Sequence, residues 1–330
     1  MARFAARRSR NPWQIISILG PHDGTTITFM GSDAKNKQQN LNDSPSLAKD
    51  QSLSEVQVRQ FHEDGFLVIN NLFDSAEIDM LRDACSEPED TEWETAKKTI
   101  HALGLTTRAT AFLDLARDSR IVALLRALIG DDIQLQHSKL AAQPAAAEMG
   151  GFAWHQDFAF YPHTNTDLVA AMVMLDDATA DNGCMRMIRG SHKRGLLNHM
   201  DNDGVFTGMC QEPKAWKDHL GDVVDITPRA GGISLHHCLM LHGSGPNQSG
   251  EPRRGLVYQY RADDAFQLAD RVWDDTGLLV SGKRREQVRC EEGTVRLPKS
   301  VRYPGHPFGN VWNQEGEFAQ KLNEEESRER

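Results

Sequence analysis

Phe152-Ala153-Trp154-His155-Gln156-Asp157-Phe158-Ala159-Phe160 is the stretch on which the reading of this chain turns. Four aromatic residues are interleaved with one histidine and one aspartate, a pattern that predicts an extended segment from Phe152 to Phe160. Side chains two apart on a strand share a face, so His155 and Asp157 point the same way while Gln156 points away. Two imidazoles and one carboxylate can occupy one face of an octahedral Fe(II) and leave the opposite face open for a chelating cosubstrate and O2. The stretch supplies two of those three ligands.

His-x-Asp alone does not single out this position, because it recurs at His62-Glu63-Asp64 and His199-Met200-Asp201. Ser52-Leu53-Ser54-Glu55 reads as a capping box opening a helix with Val56 and Phe61 on its apolar side, which leaves His62 and Asp64 at a helix end before Gly65. His199 and Asp201 fall in a run of turn residues from Asn198 to Gly204, with no alternation to fix two side chains, and are read as loop.

Working outward, the third ligand is sought in Ile233-Ser234-Leu235-His236-His237-Cys238-Leu239-Met240-Leu241-His242, which Gly243-Ser244-Gly245-Pro246 closes. This places His242 at a strand end, although spacing does not choose among His236, His237 and His242. Arg253 to Tyr260 follows as a strand with alternating faces, so only one of Arg253 and Arg254 points inward, where a guanidinium could anchor a dicarboxylate. Further strands are predicted at Ile133 to Leu140, Leu168 to Leu175, Cys184 to Ile188 and Ile233 to His237. Phe66 to Ile69 is read as extended. Helices are predicted after Asp74-Ser75-Ala76-Glu77, with Ile78, Leu81 and Ala84 on one face, and from Asp118 to Ile129, with Ile121, Leu124, Leu125 and Leu128 buried and Gly130 as the stop. The fold class expected from this order is mainly β with flanking helices, a double-stranded β-helix or jelly roll of the cupin kind.

His155-Gln156-Asp157-Phe158, Asn182-Gly183-Cys184, Gly190-Ser191-His192-Lys193 and His242-Gly243-Ser244-Gly245-Pro246-Asn247, followed by Arg253, resemble the phytanoyl-CoA dioxygenase family of Fe(II)/2-oxoglutarate oxygenases, which includes the ectoine hydroxylases. The resemblance runs from about residue 55 to about residue 265. It implies that His155, Asp157 and His242 bind the metal, that Arg253 receives the distal carboxylate of 2-oxoglutarate, and that Ser244 is a further contact. His137 and Lys139, on the strand Gln134 to Lys139, are the implied upstream contacts to cosubstrate or substrate, without a division of roles between them. The implied activity is oxidation of an unactivated C–H bond of a small-molecule metabolite, by hydroxylation as the default outcome, with Fe(II), 2-oxoglutarate and O2 consumed or held and succinate and CO2 released. Two departures bear on the substrate: Arg189 stands where the family's loop has proline, and an aromatic seen in some members is absent near Met172-Val173. Residues from about Leu196 to Arg229, including Trp216, are expected to form a lid over the site. A halogenase of this superfamily would carry Gly or Ala in place of Asp157, and a non-catalytic metabolite- or metal-binding jelly roll would not need an open metal face together with an anchor.

The plainer readings are a surface hydrogen-bonded pair for His155 and Asp157, a core histidine for His242, a turn-shaping role for Ser244 and a solvated strand arginine for Arg253. Arg186, Arg189, Lys193 and Arg194 read by default as a solvated basic loop. Of the 330 residues 39% are hydrophobic and 25% charged, enough for one large domain with additions, and the net charge of -10 argues against nucleic acid or an anionic membrane as main partner. No apolar run approaches the roughly 18 residues of a membrane span. Five cysteines without a Cys-x-x-Cys indicate neither a disulfide framework nor a zinc ribbon, so a reducing, cytoplasmic location is expected. Arg3, Arg7, Arg8 and Arg10, with no acid nearby, give the alternative of mitochondrial targeting, or of an extension upstream of a start at Met30. The expected organisation is a disordered or targeting extension over 1–52, an oxygenase domain over 53–290 and a polar tail over 291–330. Oligomeric state is not legible.

Overall fold

Residues 15–19, 26–30, 52–85, 100–145, 151–269 and 273–297 are described by the computed structural model. Residues 1–39 cluster as one unit and residues 40–330 as another. Within the first, β1 (Ile15–Leu19) pairs antiparallel with β2 (Thr26–Met30), in register from Ile15 opposite Met30 to Leu19 opposite Thr26. Of the stretch read as an extension, residues 1–14, 20–25 and 31–51 lie outside the described residues, as does the tail beyond residue 297.

The second unit begins with α1 (Glu55–Asp64), capped by Ser54 rather than Ser52. Gln57 N–H donates to Ser54 Oγ at 3.3 Å, and Ser54 N–H donates to the Gln57 side chain at 3.0 Å. Both serines are competent caps, and the helix start at Glu55 selects the second. Val56 is consequently 63% exposed, and the apolar side is carried by Phe61 and Val58. Gly65, at φ 86°, turns the chain into β3 (Phe66–Ile69), where any side chain would strike Met240 and His192. Asp74 and Glu77 cap α2 (Ser75–Ala84) reciprocally, as the sequence predicts, with Ile78 and Leu81 buried.

After β4 (Ile100–Leu103) come α3 (Thr110–Ala116) and α4 (Ser119–Ile129), whose buried face is Ile121, Leu124, Leu125 and Ile129, with Gly130 as its stop. Arg120 ties this layer together: it pairs with Glu77 and Asp118 at 2.7 Å each and lies 4.2 Å from the centre of the Phe73 ring.

The remaining strands are β5 (Ile133–Gln143), β6 (Phe152–His155), β7 (Leu168–Met174), β8 (Met185–Ile188), β9 (Val223–Ile226), β10 (Ile233–His237), β11 (His242–Ser244), β12 (Arg253–Ala262) and β13 (Leu279–Ser281), with the single-turn α5 (Lys214–Lys217) before β9. The larger sheet runs β5-β12-β7-β10-β3, with β4 and β13 pairing along the free edge of β5; the smaller runs β6-β11-β8-β9. All pairs are antiparallel. One face of the larger sheet packs on the helices: Leu256, Tyr258 and Tyr260 of β12 join the core, and the two tyrosine hydroxyls donate to the carbonyls of Phe112 and Ala116 of α3 at 3.0 Å each. The other face looks toward the smaller sheet. This is the jelly roll that the sequence predicts, with helices outside one sheet and a cavity between the two.

Candidate active site

The strand predicted over Phe152 to Phe160 stops at His155, and Asp157 opens a 3-10 turn, Asp157–Ala159. Gln156 still points away, as expected. Its amide donates to the carbonyls of Gly195 and Leu239 at 2.9 and 2.8 Å, and its side-chain oxygen accepts from Leu197 N–H at 2.8 Å. His242 begins β11 instead of ending the preceding strand, since β10 finishes at His237 and residues 238–241 turn between them. Residue 242 sits opposite residue 155 in the β6–β11 pair, which brings the two imidazoles side by side, ring centres 4.1 Å apart and the planes tilted by 49°.

His155, Asp157 and His242 offer ligand atoms that all lie within 4.8 Å of one another, the one such cluster among the described residues. Asp157 Oδ1 stands 3.9 Å from each Nε2. All three side chains are buried, at 5%, 5% and 6% exposure. His155 Nδ1 lies 2.8 Å from the Ala153 carbonyl and His242 Nδ1 2.9 Å from the Met240 carbonyl. A carbonyl only accepts, so each Nδ1 carries the proton and each Nε2 lone pair is turned toward the common point. On the aspartate, Oδ2 is taken by Gln259 Nε2 at 2.6 Å and His236 Nε2 at 3.2 Å, which leaves Oδ1 facing the histidines. Burial, and then the neighbouring His155, hold His242 well below the ordinary imidazole range; burial likewise lowers His155. For Asp157, burial acts upward, but His242, His236 and Lys139 outweigh it and hold the carboxyl well below its usual range. Neutral imidazoles, an ionised carboxylate and outer contacts that fix their orientation suit a divalent cation.

Arg253 and Arg254 face opposite sides of β12. Arg254 is spent on Asp176, with Nε to Oδ2 at 2.8 Å and Nη2 to Oδ1 at 2.9 Å. Arg253 is 3% exposed, lines the cavity that holds the three ligand residues, and its Nε has no hydrogen-bond partner. Burial lowers it to about 10. A buried guanidinium with an unsatisfied nitrogen costs free energy unless an anion meets it, and a carboxylate has the matching geometry.

The cavity takes walls from both sheets. Lys139 faces it from β5, and burial lowers its ammonium against the opposing pull of Asp157. His137 stands on the same strand but outside the lining, stacked on Trp273 with ring centres 4.4 Å apart and set edge-on to Tyr161. Ser244 lines the cavity, and its hydroxyl accepts from Phe152 N–H at 3.1 Å, fixing β6 on β11.

Sequence reasoning missed His101, on the short β4, which lines the cavity against Phe152, ring centres 5.0 Å apart. It also missed the roles of His236 and Gln259 in holding Asp157. His199, read as loop, does lie in a loop but is buried, its Nε2 accepting from Gln156 N–H at 3.0 Å between the two first ligands. None of residues 196–229 lines the cavity; Trp216 instead packs near Ile188, Cys210 and Leu241 beside the smaller sheet. Of the basic cluster, Arg186, Lys193 and Arg194 are exposed, as a solvated loop requires, while Arg189 pairs with Asp64, Arg186 with Asp225 at 3.3 Å, and Arg194 donates to the Ala215 carbonyl at 2.9 Å. No helix among the described residues is long and apolar enough to cross a membrane.

Residues 61–255 match the profile of the phytanoyl-CoA dioxygenase (PhyH) family. A probable alpha-ketoglutarate-dependent hypophosphite dioxygenase of Stutzerimonas stutzeri is 36% identical over 201 residues, covering 59% of this chain and 68% of the relative. The ectoine dioxygenase of Sphingopyxis alaskensis is 25% identical over 244 residues, 64% of this chain and 77% of the relative. Among solved structures, SnoK, a non-heme alpha ketoglutarate dependent carbocyclase from nogalamycin biosynthesis, aligns with a TM-score of 0.59 at 22% identity over 67% of this chain and 89% of its own. The apo form of EctD from S. alaskensis aligns with a TM-score of 0.55 at 21% identity over 76% and 91%. At those identities the two structures speak for the fold alone, a curled double sheet with helices on one side. The profile spans more than half of the chain and takes in His155, Asp157, His242 and the inward Arg253, and the chain belongs to the phytanoyl-CoA dioxygenase family.

Proposed function

We propose that this protein is an Fe(II)/2-oxoglutarate-dependent dioxygenase that oxidises a small molecule, with His155, Asp157 and His242 holding the iron and Arg253 receiving the distal carboxylate of 2-oxoglutarate. One observation carries the reading: two Nε2 lone pairs and one carboxylate oxygen converge on a point in the same cavity that holds a buried arginine with an unsatisfied nitrogen. The names of the relatives, an alpha-ketoglutarate-dependent dioxygenase and an ectoine dioxygenase, support it. Iron, cosubstrate and O2 together supply the oxidising chemistry, with succinate and CO2 released.

The chain's own residues supply orientation. Gln259 and His236 fix which oxygen of Asp157 turns to the metal, and the carbonyls of Ala153 and Met240 fix the tautomer of each histidine. Lys139 adds positive charge to the cavity, and Ala141, Met172, Met185 and Val257 give that cavity an apolar wall that excludes water. Ser244 holds the two ligand-bearing strands in register and contributes a hydroxyl to the cavity rim. Purified protein incubated with Fe(II), 2-oxoglutarate and a metabolite panel should form succinate in a substrate-dependent way; no succinate with any member, beyond the slow turnover of 2-oxoglutarate alone, goes against the reading.

A second reading exchanges the C–H bond for a P–H bond of a small phosphorus oxyanion, into which one oxygen atom is inserted. Charge favours it: with Arg253 taken by the cosubstrate, Lys139 remains as a cation lining a cavity whose one carboxylate, Asp157, is already held by His236 and Gln259. The name of the S. stutzeri relative points the same way. Hypophosphite belongs in the same panel, and phosphite formed in step with succinate decides for it.

A further inference from the structure

Gly255 lies between Arg253 and Val257 on the face of β12 that looks toward the cavity, yet Gly255 itself does not line it. Met172 covers it. A Cβ placed on Gly255 would lie 2.2 Å from Met172 Cε, 3.1 Å from Met172 Cγ and 3.3 Å from Met174 Sδ. The backbone at Gly255 is not in the left-handed region, so the missing side chain answers to space and not to conformation. Met172 is the register partner of Val257, while Gly255 pairs with Met174 on one side and Ala141 on the other. The Met172 side chain therefore runs along the sheet from its own position and comes to rest in the recess that Gly255 leaves, next to the small Ala141. Met172, Ala141 and Val257 are packed together in one apolar cluster with Met185 against it, and all four line the cavity that also holds Arg253 and the three ligand residues.

We propose that Met172, seated in the Gly255 recess, sets the length of the dicarboxylate that fits between the metal ligands and Arg253. The inference rests on the cosubstrate reading above and adds the residues that give it selectivity. A dicarboxylate fixed at both ends accommodates one more methylene only by bowing sideways, and toward β7 that side is filled by Met172. Truncating Met172 opens it. A methyl at residue 255 is expected to do the reverse: it meets the mobile end of Met172, with Met174 sulfur close by, and displaces it toward the cavity that Met172 lines.

The test is equilibrium binding of 2-oxoglutarate and of its six-carbon homologue 2-oxoadipate to the full-length, Mn(II)-loaded protein, measured by calorimetry without turnover. Wild type should prefer 2-oxoglutarate. Met172→Ala should narrow that preference by about tenfold or more, the scale on which one methylene is discriminated in an apolar pocket, and Met172→Leu, which conserves volume, should keep it. Gly255→Ala should weaken 2-oxoglutarate binding by a similar factor, and the Gly255→Ala/Met172→Ala double variant should recover it, with urea midpoints of both variants measured alongside to set binding apart from stability. Met172→Val carries the same test should the alanine variant not fold. An unchanged preference in Met172→Ala, or no recovery in the double variant, overturns the inference while leaving the cosubstrate reading intact. Wild type that binds neither acid refutes that reading and this inference with it.

Discussion

Gln259 Nε2 donates to Asp157 Oδ2 at 2.6 Å from the same strand, β12, that carries Arg253 on the same face. One strand thus fixes the orientation of the carboxylate and also presents the Arg253 guanidinium, the proposed anchor. Because inward positions recur every second residue, the span between anchor and carboxylate is set by the rise of a strand rather than by a flexible loop.

Gln259→Leu leaves Asp157 Oδ2 with His236 alone and frees the carboxylate to rotate. Metal affinity should fall by about 10–100-fold, the usual cost of losing an outer-shell partner. Competition against a chelator of known affinity measures this, and an affinity equal to wild type would mean that His236 suffices to hold the carboxylate.

Arg253→Ala removes the buried guanidinium, and the concentration of 2-oxoglutarate needed for half-maximal succinate formation should rise by orders of magnitude, in line with the roughly 2–5 kcal/mol of a broken buried charge pair. Arg254→Ala breaks the partly exposed pair with Asp176 and should cost stability on the order of 0.2–1 kcal/mol, with little change in the cosubstrate requirement. Titration of 2-oxoglutarate in both variants separates the roles; a larger defect in Arg254→Ala would contradict the inward placement of Arg253.

His163, His199 and His237 are held by burial at about 3, 4 and 3, far below the roughly 6.5 of an unfolded histidine. Between these values the unfolded chain binds protons that the folded one refuses, so stability is fully present above about pH 6.5 and is lost as pH falls toward 4. The slope is at most about 1.4 kcal/mol per pH unit for each histidine. Urea denaturation of the metal-free protein at pH 7.5 and 5.5 should give a clearly lower midpoint at the acidic value, and an equal or higher midpoint would contradict the burial assigned to these rings.

Much of the larger sheet was legible because its strands are apolar-rich runs bounded by turn residues: β10 coincides with the predicted Ile233 to His237, and β12 starts at the predicted Arg253 and runs two residues past Tyr260. The smaller sheet was not. β11 is three residues long and made of His242-Gly243-Ser244, whose composition signals a turn, and only pairing with β6 and β8 makes it a strand. The ligand motif showed in the sequence as local spacing, whereas His101, His236, Gln259 and His199 reach the site through strand pairing and loop packing that no local pattern encodes. The choice of Ser54 over Ser52 turned on where the first helical turn begins, which cap chemistry alone leaves open.

The most direct test of the account is an anaerobic titration of Fe(II) into the full-length protein, with wild type compared with His155→Ala, Asp157→Ala and His242→Ala. The account predicts one tightly bound ion per chain in wild type, its loss in each variant, and circular dichroism spectra that stay the same, since the three side chains line a cavity and carry little of the core. Wild-type affinity for Fe(II) in any of the three variants would contradict the assignment of the metal centre.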